Sequence, residues 1–247
     1  MLVRIAAWAG IVQPFVSCGA GIGEERSMIR FENVSKTYHI RKFQKQVFSN
    51  LNFEIRRGES IGICGANGAG KSTLMRLIAG VEQPTTGRIE RSMTTSWPIG
   101  YSSAFQASMT GSDNVRFIAR IYRQPEQEIL DYVEDFAQLG PYFHQPVRTY
   151  SSGMAGRLAF GISLAINFDC YLVDEVTGAG DERFRRRSHE ELMKRRAEGT
   201  LVMVSHDPHM LQQYCERGAV LYGGNLTFYD TVAEASEVHH GLQMRAA

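Results

Sequence analysis

Apolar residues follow two rhythms along this chain. Over residues 28–58 they alternate with polar ones, in Ile29–Val34 and again in Phe48–Ile55, which predicts half-buried antiparallel β structure. Short apolar runs at Ser60–Cys64, Cys170–Val173 and Leu201–Ser205 read instead as buried strands. Helical patterns follow them at Thr73–Ala79, Glu182–Glu198 and Asp207–Cys215. Residues 84–91 predict a turn and a short strand, and Ile99–Gln106 a strand entering a loop. From Ser112 to Leu139 the spacing is helical, through Val115, Ile118, Ala119 and Tyr122, then Ile129, Val133, Phe136 and Ala137. Asp113 is a candidate cap for the first of these helices, and Pro141 and Pro146 end the pattern. A helix follows Ser151-Ser152-Gly153 to about Asn167, and Gly218–Tyr229 predicts a hairpin turning at Gly223-Gly224. Strands alternating with helices imply an α/β fold with a mostly parallel sheet. The helical stretch 112–150, arriving between core strands, reads as an inserted subdomain.

Gly65 to Thr73, GANGAGKST, fits G-x-x-x-x-G-K-[ST], the phosphate-binding P-loop, and lies between a predicted strand and a predicted helix. Without Cβ atoms, Gly65, Gly68 and Gly70 let the backbone curl and aim its N–H groups at an anion, with Ala66, Asn67 and Ala69 between them. The following helix adds the positive end of its dipole. Lys71 is expected at the β- and γ-phosphates, and the Ser72 hydroxyl on Mg²⁺. CYLVDE at 170–175 is an apolar strand ending in two acids. Beside a P-loop, Asp174 would hold the Mg²⁺ shell and Glu175 would polarise the attacking water.

The chain has 247 residues, 43% of them hydrophobic, which suits one large α/β domain or a core with a small insert. The net charge of +1 gives no global pull toward nucleic acid or anionic lipid. No apolar run reaches the ~18 residues of a membrane-spanning helix. Cys18, Cys64, Cys170 and Cys215 are scattered with no C-x-x-C pair, so neither a zinc site nor a disulfide framework is read, and a reducing cytosol fits. Arginines and lysines over 183–196 interleave with Glu182, Glu190, Glu191 and Glu198, as in a solvated helix laced with i,i+4 pairs. Residues 1–27 differ from the rest. Arg4 and an apolar stretch resemble a weak signal peptide with a lipid-attachment motif at Cys18, but Pro14 interrupts it. We read this segment as an upstream extension or disordered tail, with Met28 as the natural start and a nucleotide-binding domain over 28–247.

YSSGM at 150–154 opens a helix about 80 residues after the P-loop. Ser151, Ser152 and Gly153 there offer a second anion site or a plain serine cap. With these elements in this order, the chain resembles the nucleotide-binding subunit of an ATP-binding cassette (ABC) transporter. That family's signature runs Leu-Ser-Gly-Gly-Gln; Tyr150, Ser152 and Met154 depart from it. The resemblance extends to Gln106 as the Q-loop glutamine, to Thr177–Asp181 as the D-loop with Asp181 as its acid, and to His206 as the switch histidine. Tyr38 lies where the family stacks an aromatic on adenine. Tyr-Ser-Ser-Gly-Met, and Val176 after the acid pair, are similar to the ATPases of capsular-polysaccharide exporters. The resemblance implies a RecA-like P-loop core with an antiparallel β subdomain and a helical subdomain at about 107–165. It also implies ATP and Mg²⁺ as cofactors and a homodimer pairing head to tail on ATP. A separate integral-membrane permease would move the polysaccharide, with the ATPase peripheral on the cytoplasmic face of the bacterial inner membrane. An O-antigen or teichoic-acid exporter is the runner-up. A soluble cassette acting on nucleic acid is disfavoured by the single cassette and short insert. Phe105, Phe117, Tyr122 and Phe136 read as core, or in part as a groove for the permease.

Overall fold

The computed structural model describes residues 28–40, 43–99, 105–174 and 181–246. At its centre stands β3 (Ser60–Gly65), buried along all six residues. Parallel strands flank it: β6 (Thr200–Val204), with Val202 opposite Ile61, and β7 (Arg217–Tyr222), with Gly218 opposite Gly62. β5 (Cys170–Asp174) pairs parallel outside β6, and β8 (Asn225–Tyr229) closes the other edge antiparallel to β7. The order is β5-β6-β3-β7-β8, the mostly parallel sheet expected from alternating strands and helices. Gly223 and Gly224 turn the β7–β8 hairpin at φ of +55° and +79°, a left-handed path that glycine enters at no steric cost.

Period-two alternation divides this sheet between two cores. Cys170 and Leu172 face one, with Ile61, Ile63, Val202 and Val204; Tyr171 and Val173 face the other, with Leu201 and Met203. Against the first core pack α1 (Lys71–Ile78), through Leu74, Met75, Leu77 and Ile78, and a three-stranded antiparallel sheet. That sheet has the order β2-β1-β4, from β1 (Met28–Ile40), β2 (Phe43–Arg56) and β4 (Thr86–Arg91). β1 and β2 run well past the predicted alternation. Register shifts between Phe31 and Thr37 break the pattern while pairing continues to Ile40.

The second core takes the helical insertion: α2 (Gly111–Ile121), α3 (Glu126–Ala137), 3₁₀ turns at Gly140–His144 and Val147–Thr149, and α4 (Ser152–Ala165). Phe136 stacks between Tyr132 and Phe160 here, and Tyr122 meets Trp97 and Phe168. Phe136 is buried in this core and Tyr122 packs half-buried against it, whereas Phe117 is 42% exposed.

Two sequence expectations need correction. The cap of α2 is Thr110, whose Oγ1 accepts from Asp113 N at 3.0 Å; Asp113 sits at N3 and accepts from the Thr110 hydroxyl at 2.7 Å. α1 starts at Lys71, two residues earlier than its apolar pattern, because Gly70 is its N-cap. The strand expected over Ile99–Gln106 falls largely on residues 100–104, which lie outside the described residues. Thr95 and Ile99 make isolated bridges to Cys170 and Val173. Between them Pro98 lacks an N–H, and the Ser96 hydroxyl rather than a carbonyl accepts from Leu172 N at 2.9 Å.

α5 (Glu182–Glu198) matches its predicted bounds and follows β5 across residues 175–180, and α6 (Pro208–Tyr214) follows β6. A last helix, α7 (Val232–Ala246), was not anticipated. It lies on β7, where a Cβ added to Gly218 would come within 2.5 Å of Ala235 Cβ and of Thr231 O.

Candidate functional site

The loop from β3 into α1 has the conformation its glycines suggest. Gly68 and Gly70 take φ of +80° and +108°. At Gly68 a side chain would meet open space, so only the backbone conformation demands glycine. At Gly70 a Cβ would also lie 2.5 Å from Val47 Cγ1. No acidic residue stands in the first turn of α1, so the positive end of its dipole is uncompensated from within the helix. Lys71 Nζ folds back over the loop, donating to Gly65 O at 2.6 Å and Ala66 O at 3.1 Å. Ala69 N closes the turn on Ala66 O at 3.1 Å.

A cavity of about 360 Å³ opens over this loop, lined by Asn67, Gly68, Gly70, Lys71, Ser72 and Thr73, by Asp174 at the end of β5, and by Tyr38, Lys45 and Val47 of the β1–β2 hairpin. It brings together the predicted lysine, hydroxyl, carboxylate and aromatic ring. Donors and an aromatic ring lining one cavity suit a nucleoside polyphosphate. Among the described residues no group of three or more His, Cys, Asp or Glu side chains could hold a metal alone. A hard cation here would draw on Ser72, Asp174, phosphate oxygens and water, as Mg²⁺ commonly does.

His206, predicted beside the γ-phosphate, lines a second cavity of about 320 Å³ with Gly65, Ala66 and Asn67. Asn67 is common to both cavities. The opposite wall is α7, through Ser236, His239, His240 and Gln243, residues that sequence reasoning passed over because α7 itself was not read. Burial first, and then the nearby Lys71 ammonium, push the His239 pKa below the ordinary histidine value.

Of the remaining candidates that are described, none lines the Lys71 cavity. Gln106 is exposed, and its backbone is clamped by Asn114, which accepts from Gln106 N at 2.9 Å and donates to Gln106 O at 3.2 Å. Ser151 is the N-cap of α4, its Oγ accepting from Met154 N at 3.2 Å; Ser152 beside it is exposed and Gly153 half-buried. Asp181 caps α5, accepting from Phe184 N at 2.9 Å, and pairs with Arg157 Nη2 of α4 at 3.0 Å. The Phe184 N–H foremost, and Arg157 after it, hold the Asp181 carboxyl below the usual carboxylate range. Glu175 and residues 177–180 lie outside the described residues.

A P-loop on the central strand of a mostly parallel sheet, with a strand-end carboxylate in the same cavity, defines a P-loop nucleotide-binding protein. A model of the ABC transporter family matches residues 48–178. The chain is 47% identical over 216 residues to the ATP-binding protein BexA of Haemophilus influenzae, which spans 87% of this chain and all of that protein. It is likewise 47% identical over 215 residues to the capsule polysaccharide export ATP-binding protein CtrD of Neisseria meningitidis serogroup B, again 87% of this chain and all of that one. The fold is also that of the dimeric ATP-binding cassette MJ0796 bound to ADP and Pi, with a TM-score of 0.71 and 23% identity over 82% of this chain and 98% of that one. This chain belongs to the ABC transporter family, as an ATP-hydrolysing subunit.

Proposed function

We propose that the chain powers export of a capsular polysaccharide through a separate integral-membrane permease. It works as an ATP-dependent head-to-tail homodimer, peripheral on the cytoplasmic face of the bacterial inner membrane. The observation that carries the reading is the cavity uniting Lys71, Ser72, Asp174 and Tyr38, in a chain that matches the capsule polysaccharide export ATP-binding protein CtrD over its whole length. Among the described residues no helix is long and apolar enough to cross a membrane.

Tyr38 stacks on adenine, and Gly65–Gly70 wrap the phosphates with backbone N–H groups. Lys71 leaves its two carbonyls for the β- and γ-phosphates, and the N–H groups of Ser72 and Thr73 add the helix end. Ser72 and Asp174, joined by Gln106 from outside the cavity, would hold Mg²⁺, which would neutralise charge building on the transferred phosphoryl group. Glu175, the residue after Asp174, accepts the proton of the attacking water, and His206 contacts the γ-phosphate. Ser151, Ser152 and Gly153 face the triphosphate held by the other protomer, near its Asp181 segment. Those contacts exist only in the closed dimer, so ATP favours closure by its differential affinity, and hydrolysis releases it. Phe117, exposed on the helical insertion, belongs to the face that receives the permease.

In the purified complex, Glu175→Gln should lower ATP hydrolysis on the order of 10²–10⁴-fold while ATP still binds; unchanged turnover would remove Glu175 as the base. Cargo is read in a capsulated bacterium deleted for its own export ATPase. Restoration of surface polymer by this chain and its cognate permease supports the assignment. Rescue of an O-antigen or teichoic-acid export mutant instead would reassign it.

A further inference from the structure

Tyr38 is held more firmly than a stacking ring needs. Its hydroxyl donates to Glu82 Oε2 at 2.8 Å, accepts from Arg76 Nη2 at 3.2 Å and lies 3.3 Å from Thr73 Oγ1. Glu82 gathers the whole group, because Lys36 Nζ approaches its Oε1 at 2.8 Å and Arg76 Nε its Oε2 at 3.0 Å. The Lys36 ammonium also donates to Gln83 O at 2.7 Å and lies over the Tyr38 ring, 5.1 Å from its centroid. Lys36 and Glu82 side chains are only 12% and 20% exposed, unlike the loose surface pairs that contribute little. Burial alone would raise the Glu82 carboxyl pKa, but hydrogen bonds from Lys36, Tyr38 and Arg76 outweigh it and leave the group below the usual carboxylate range.

The geometry matters because these residues come from three places. Lys36 and Tyr38 are on β1, Thr73 and Arg76 on α1, and Glu82 on the turn beyond it. Thr73 lies two residues after Lys71 and also lines the nucleotide cavity. One carboxylate therefore ties the ring at the nucleoside end of the cavity to the helix at its phosphate end.

We propose that Glu82 is a positioning residue for the nucleoside: it fixes the Tyr38 hydroxyl, so that the ring stands ready at a set distance from the phosphate loop before ligand arrives. This rests on the reading of the cavity as an ATP site. A ring already immobilised spares the ordering cost otherwise met on binding, and the benefit reaches only ligands that carry a base.

The test measures binding of ATP and of inorganic tripolyphosphate to the full chain, as wild type, Tyr38→Phe, Glu82→Ala, Glu82→Gln and the Tyr38→Phe/Glu82→Ala double variant. Tyr38→Phe keeps the ring and deletes only the tether, so it decides the matter even if Glu82→Ala folds poorly. Tyr38→Phe and Glu82→Ala should each weaken ATP roughly three- to tenfold and leave tripolyphosphate unchanged. The double variant should be no weaker than either single one, and Glu82→Gln, whose amide oxygen still accepts the tyrosine hydroxyl, should stay near wild type. Equal losses for both ligands, no loss in Tyr38→Phe, or losses that multiply in the double variant would overturn the proposal. Wild-type protein that bound tripolyphosphate but not ATP would instead overturn the nucleotide reading, and this inference with it.

Discussion

Lys71 shows how a single side chain is poised. Its ammonium rests on two neutral carbonyls, Gly65 O and Ala66 O, and phosphate oxygens are the stronger partners, since their negative charge adds ion–ion attraction to the hydrogen bond. Lys71→Ala should therefore weaken ATP about 10- to 100-fold, read by equilibrium binding on folded protein; wild-type affinity would remove the lysine from the cradle. The P-loop residues were legible because phosphate binding dictates their type at fixed spacing. Glu82 was not, because it meets Tyr38 across 44 residues, and no local pattern encodes that contact. Asp181 was readable as an acid in the right place, but its cap on α5 and its pairing with Arg157 appear only in three dimensions.

At the scale of elements, the strands and helices that could be read were those whose burial imposes one clear period, as in β3, β5 and β6. α7 escaped because its contact with the sheet is made through small residues. Ala235 meets Gly218, and Val232 Cγ2 would lie 3.3 Å from a Cβ on Gly62, the cross-strand partner of Gly218. Two glycines side by side thus form the seat on which α7 comes close to the backbone. Gly218→Ala should cost about 1–3 kcal/mol through overpacking, seen as a lower midpoint in denaturant; an unchanged midpoint would mean the helix yields freely. The same displacement moves Ser236, His239 and His240 relative to the P-loop. The basic run of α5 proved to be what its charge pattern predicts in part, with Arg186–Glu190 and Arg195–Glu191 at i,i+4. Arg187 departs from it, leaving the helix to pair with Asp135 of α3 over the face of Phe136.

For the whole molecule, Ser151–Gly153 do not line the cavity that holds Lys71, as the proposed shared pocket requires. That proposal comes from motif order and spacing, whereas the cargo reading comes from the resemblance of Tyr150–Met154 and Val176 alone. Ser151→Arg places a bulky cation at the serine turn. Losing the cap costs the helix about 1 kcal/mol, too little to unfold the domain, so the monomer should keep its circular dichroism spectrum. Sedimentation of a Glu175→Gln background with ATP should show dimer, and addition of Ser151→Arg should return it to monomer. A dimer undiminished by Ser151→Arg would refute the shared pocket.

Arg157 reaches from α4 to Asp181 at the first step of α5, and Arg187 of α5 grips α3. The chain leaving Asp174 is therefore fastened downstream to the same helical body that carries the serine turn. Were that body to tilt, Asp181 at the head of α5 would travel with it or the Arg157–Asp181 clasp would part.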